Sequence, residues 1–157
     1  MPRGTYKTHT VSPDSIYDSY EISKMINYIM EDGKKSVAQK IVYTVMKKIK
    51  DNNMDAKDVM RRTIENVAPT HEVKPRRVGG ASYLVPQETR STRRIFLALN
   101  WIINAAKARS SKEYKSMADK LYAEIMDAYK DMGEAVNKKK SVEKLAEANK
   151  AFSHFKW

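Results

Sequence analysis

The chain contains no cysteine in 157 residues, which excludes a disulfide framework and any thiolate-held metal, and is compatible with a reducing cytoplasm. Histidine is nearly as scarce. His9, His71 and His154 lie far apart, without the His-Glu-x-x-His spacing that sets two imidazoles on one helix face, so no shared metal site is expected. No run of about 18 apolar residues is available to cross a bilayer, and the N-terminus lacks the apolar stretch of a signal peptide. A cytoplasmic protein without membrane contact is therefore expected. Catalytic signatures are missing too. No Gly-Lys-Ser/Thr follows Gly79-Gly80, no nucleophile elbow occurs, and acidic residues such as Glu31, Asp32 and Glu143 are scattered as on solvated helix faces. Neither an enzyme nor a cofactor site is expected.

Negative charge is also in short supply. There are 19 Asp and Glu against 30 Lys and Arg, a formal charge of +11, which repels itself unless phosphate or anionic lipid neutralises it. Apolar residues make up 41% of the chain, enough for a core, so the sequence is not simply a basic disordered tail. Length fits one domain spanning 1–157, with an extended basic N-terminal segment over 1–19.

Most of the chain has helical periodicity. Ile22, Met25, Ile26 and Ile29 follow the i, i+3, i+4, i+7 rule, with Gly33 placed for a C-cap. Val37, Ile41, Val45 and Ile49, flanked by Ala38 and Val42, predict a second helix ending near Asp51-Asn52-Asn53. Asp55 caps a third, whose Val59, Met60, Ile64 and Val67 face inward before Pro69. Ser91 or Thr92 caps a fourth, in which Ile95, Phe96, Leu97, Leu99, Trp101, Ile102 and Ile103 leave almost no polar face; it is the expected core, with Trp101 part of it. A fifth carries Met117, Leu121, Ile125 and Ala128 to Gly133, and a sixth runs through Val142, Leu145 and Ala146 towards Phe152.

One stretch reads as β. Gly79 and Gly80 both tolerate positive φ and predict a tight hairpin turn, which sets Val78 opposite Ala81, Arg76 opposite Tyr83 and Lys74 opposite Val85. On the other face, Arg77 meets Ser82 and Pro75 meets Leu84. Neither face is cleanly apolar, and a lone two-stranded ribbon is marginal in water, so the arm over 72–89 is expected to project without a packing partner nearby. The fold class is thus mainly α: a six-helix body with a two-stranded ribbon between the third and fourth helices.

Cations gather at element ends. Between Glu72 and Arg94 lie Lys74, Arg76, Arg77, Arg90, Arg93 and Arg94 against two carboxylates. Lys34-Lys35 follow the first helix, Lys107, Arg109, Lys112 and Lys115 surround the turn after the fourth, and Lys138-Lys139-Lys140 precede the sixth. Such edges suit phosphates, and Tyr83 across from Arg76 offers a stacking surface. Two other classes fit the same outline: an architectural DNA-binding protein with a minor-groove ribbon, and a protein scaffold that pairs strands edge to edge.

Residues Glu72-Val73-Lys74, Arg76-Arg77-Val78-Gly79-Gly80, Tyr83 and Val85-Pro86, with the ending Ala146–Trp157, resemble the bacterial small-subunit ribosomal protein seven family over essentially the whole chain. Met1-Pro2-Arg3, Asp32–Ser36, Glu65-Asn66-Val67 with Pro69, and Trp101-Ile102 support it. Gly4 and Asn100 depart from it, each standing where an arginine is common. The resemblance implies a constituent of the small ribosomal subunit that binds the 3′ major domain of 16S rRNA and nucleates head assembly near the tRNA exit site and the mRNA path. The implied partners are small-subunit rRNA, exit-site tRNA and mRNA, and small-subunit ribosomal protein eleven. With the charge pattern, it gives the expected rRNA contacts as Arg3, Lys7, Lys34, Lys35, Lys74, Arg76, Arg90, Arg93, Arg94, Lys107, Arg109 and Lys115. The ribbon's outer part, Arg77, Val78, Gly79, Gly80, Ser82 and Tyr83, is expected beside tRNA and mRNA.

Overall fold

The computed structural model describes residues 11–155. Six α-helices run in order: α1 Tyr20–Ile29, α2 Lys35–Asp51, α3 Ala56–Val67, α4 Ser91–Ala108, α5 Met117–Tyr129 and α6 Glu134–Ala148. The antiparallel strands β1 His71–Val78 and β2 Ala81–Glu88 lie between α3 and α4. A 3-10 turn, Lys150–Phe155, closes the described chain.

Local chemistry starts the helices, at Asp55 where the sequence predicts and at Ser19 where it was not read. Ser19 caps α1 by accepting from the Ile22 N–H at 3.4 Å, and Asp55 caps α3 by accepting from Lys57 N–H at 2.9 Å. α3 ends at Val67, two residues before Pro69. Other boundaries differ. α1 stops at Ile29 with Met30 as its C-cap, because the apolar periodicity ends there; Gly33, at φ +71°, instead follows Asp32, at φ +52°, in the turn leading to α2. Neither Ser91 nor Thr92 caps α4. Arg90 holds the cap position in extended backbone, set by the Thr89 N–H bond to the Thr70 carbonyl at 3.0 Å where the ribbon exits. Gly133 does not end α5, which finishes at Tyr129; it caps α6, so Lys138, Lys139 and Lys140 lie inside that helix rather than before it.

One hydrophobic cluster draws on all six helices. α4 and α5 form its middle: α4 packs on α1, α3, α5 and α6, and α5 on α2, α3, α4 and α6. The inward face of α2 is the expected one except at Val37 and at Ile41, which is half-buried. Ala38, Val42, Val45, Met46 and Ile49 are buried, whereas Val37 is 52% exposed, because the partners α1, α3 and α5 choose the face. α4 is less apolar around its circumference than its composition implies. Only Ala98, Leu99, Ile102, Ile103 and Ala106 are buried, and Phe96 is exposed. Trp101 packs against the core as expected, half-buried.

The hairpin register matches the predicted pairs, from Val78 with Ala81 to Lys74 with Val85. Its isolation does not hold. Both strands pack on α6 and β2 on the 3-10 turn, Val85 is fully buried, and Tyr83 lies against Phe152 and Phe155 at ring-centroid distances of 5.1 and 5.4 Å. The C-terminal aromatics supply the apolar backing that neither ribbon face has by itself. Only the tip, 79–82, is exposed throughout. Of the N-terminal segment only residues 11–19 are described; Asp14 and Asp18 are the charged residues there, and residues 14–18 form a turn in which the Asp18 N–H donates to the Asp14 carbonyl at 2.8 Å. The Asp14 carboxylate organises that turn by accepting from the Ile16 and Tyr17 N–H groups, each at 3.1 Å, and from the Tyr43 hydroxyl at 2.7 Å.

Candidate nucleic-acid interface

Carboxylates hold several of the expected cations in place. Glu72 on β1 pairs with Lys74 and with Arg93 Nε on α4, both at 3.2 Å, so one acid fixes the ribbon base to the start of that helix. At the other end of α4, Lys107 donates to Glu31 at 2.6 Å, and this ammonium holds the Glu31 carboxyl below the usual carboxylate range. Lys34, 3.7 Å from Asp32, lines with Lys107 a groove of about 360 Å³ that also includes Met30, Val37 and Met117. The structure therefore gathers Lys74, Arg93, Lys107 and Lys34 along the edge shared by α1, α4 and the ribbon base. The cations of these pairs are exposed, so their worth lies in positioning rather than stability.

A second group has no ion pair among the described residues: Lys35, Arg76, Arg77, Arg90 and Lys115. Arg76 is half-buried on the ribbon; the other four are exposed. Arg94 is half-buried as well, with its Nε enclosed and unpartnered among the described residues. At the tip Gly79, Gly80 and Ser82 are exposed, and Val78 is half-covered. The Tyr83 ring faces Phe152 and Phe155, which occupy the surface expected to stack on a base. Arg3 and Lys7 lie outside the described residues.

Arg109 is engaged inside the protein. Its guanidinium donates to Glu124 Oε2 from Nε at 2.9 Å and from Nη2 at 2.6 Å, reaches Asp127, and meets the Tyr114 hydroxyl at 3.3 Å. Burial opposes its charge, but the Asp127 and Glu124 carboxylates outweigh that and raise its pKa further. Glu124, with no exposed surface, uses its other oxygen to accept from the Ala135 N–H at 3.0 Å, tying the loop after α4 to the start of α6. Gly133 makes this approach possible. A Cβ there would stand 3.0 Å from Glu124 Oε1, on backbone at φ +92°. The sequence reading missed this network, although one signal for it is that Glu124 occupies the core phase of α5 between Leu121, Ile125 and Ala128. A carboxylate on such a face calls for a buried cation.

A helical frame that fixes cationic edges around an arginine-bearing ribbon has the build of a polyanion-binding protein. The family described as ribosomal protein S7p/S5e matches residues 1–150, and the chain belongs to it. A small ribosomal subunit protein uS7 of Thermoanaerobacter pseudethanolicus is 48% identical, with all of both chains covered. That of Thermodesulfovibrio yellowstonii is 46% identical over all of both chains. A third, from Xanthomonas campestris pv. campestris strain B100, is 45% identical over 99% of this chain and 98% of its own. These are names of a ribosomal constituent rather than an enzyme, in keeping with the expectation from the residues.

Proposed function

We propose that this chain is a constituent of the small ribosomal subunit and acts as one RNA-binding unit on the 3′ major domain of 16S rRNA, without chemistry of its own. What carries the reading is the row of cations along α1, α4 and the ribbon base in a chain of +11 belonging to this ribosomal family. A stiff frame with preset charges fits phosphates that come together only when distant rRNA helices fold, so the protein selects a folded shape and favours early head assembly. The contacts in this reading are Lys34, Lys35, Lys74, Arg76, Arg90, Arg93, Arg94, Lys107 and Lys115, with Arg3 and Lys7 from the N-terminus. Arg109 enters as an internal strut. The tip from Arg77 to Ser82 approaches exit-site tRNA and mRNA, and small-subunit ribosomal protein eleven is a neighbour, within the bacterial cytoplasm.

Filter binding of the purified chain to a 3′ major domain transcript and to duplex DNA at physiological salt tests this. The transcript should bind more tightly, and Arg76→Ala with Arg77→Ala should weaken RNA association while leaving the helical circular-dichroism signal intact. Equal affinity for the two polymers would remove the reading. The DNA-bending alternative needs an apolar wedge at the ribbon tip, and the residues there are Gly79 and Gly80.

A further inference from the structure

The outward side of α4 carries Arg93, Phe96, Asn100, Asn104 and Lys107, at spacings of three, four, four and three residues that keep them on one face. Four are polar. The fifth, Phe96, is 37% exposed in this polar stripe, one turn from Arg93. A solitary exposed phenylalanine would need no explanation, but this one is held in a defined setting. Tyr28 of α1 meets its ring edge to face at 5.5 Å and 88°, and the Arg93 guanidinium lies over it at 5.1 Å. Arg93 is in turn fixed by Glu72, and Asn100 Nδ2 donates to the Phe96 carbonyl at 2.8 Å.

Resting on the RNA-binding reading, we propose that Phe96, backed by Tyr28 and flanked by Arg93, is a stacking site for one unpaired nucleobase. An aromatic face accepts any base, because every base has a π-face, and Arg93 one turn away suits the adjoining phosphate. Tyr28 and Arg93 orient the ring in advance, so little ordering is left to binding. The cation at the ring selects the ligand: an apolar side chain from another protein would gain nothing from Arg93 beside it, whereas a nucleotide uses both base and phosphate.

Transcript binding by the full chain carrying Phe96→Leu, Phe96→Ala or Phe96→Trp tests the site. Leucine keeps apolar bulk against Tyr28 but has no π-face, so both it and alanine should weaken binding by roughly five- to hundredfold while tryptophan retains it. The salt dependence of these variants should stay unchanged, while Arg93→Ala makes it shallower by roughly 0.7–0.9 in log–log slope. Wild-type affinity for Phe96→Leu overturns the stacking site alone. Loss seen only when other small-subunit proteins are present overturns it in favour of a protein contact, and failure of the wild-type chain to bind overturns the RNA reading with it.

Discussion

Glu124 and Tyr43 show how single side chains set the frame. Glu124 is a fully buried acid whose charge is met by Arg109, and losing that charge leaves Asp127 as the guanidinium's remaining carboxylate. Glu124→Gln keeps a carbonyl for the Ala135 N–H but removes the charge. It should cost about 1.5–3 kcal/mol, the worth of hydrogen bonds to a charged group, read as a fall in melting temperature of roughly 3–12 °C. A variant as stable as wild type would mean that the pair contributes nothing net. For Tyr43, the hydrogen bond to Asp14, helped by burial, pushes the phenol up to about 12. The folded chain holds this proton more tightly than the unfolded chain does, so the stability it adds is complete below about pH 10 and disappears as pH rises from there towards 12. Asp14→Asn should lower the Tyr43 titration, followed by NMR of ring-labelled tyrosine; an unmoved titration would dismiss the carboxylate as the cause.

Among the elements, the ribbon depends most on distant sequence. Tyr83 gains its aromatic neighbours from residues at the other end of the chain, so Phe152→Ala with Phe155→Ala should speed amide exchange in β1 and β2 without lowering helical content. Unchanged ribbon protection would show that α6 alone supports it. The same dependence explains what was legible. Caps at Asp55, the register about Gly79-Gly80 and the core residues of α1 and α3 are decided within a few residues, and all were readable. In α2, Ala38, Val42, Val45 and Ile49 follow the periodicity, and Val37 departs from it because packing takes the neighbouring Ala38 at the start of the helix. The polar stripe of α4 was hidden because Phe96, Leu97 and Trp101 are apolar yet only partly covered. Cationic residues were easy to find. Which of them would be tied to Glu31, Glu72 or Glu124 was not, since each acid comes from another element.

For the whole molecule, the distribution of charge matters more than its sum. Lys35, Arg77, Arg90, Arg93, Lys107 and Lys115 lie on separate elements fixed to one core. If all six meet phosphates, affinity should fall with roughly the fourth to fifth power of salt concentration. A titration across ionic strengths checks this, and a nearly flat response would point to recognition that does not run through the backbone. The seat of Tyr83 on Phe152 also fixes a schedule. These two rings are far apart along the chain, and at about 5–20 residues per second their second half is synthesised several seconds after the first. A nascent chain can therefore gather its first helices while the hairpin still lacks its aromatic floor, and the arm acquires its final footing only once Phe152 and Phe155 have been added.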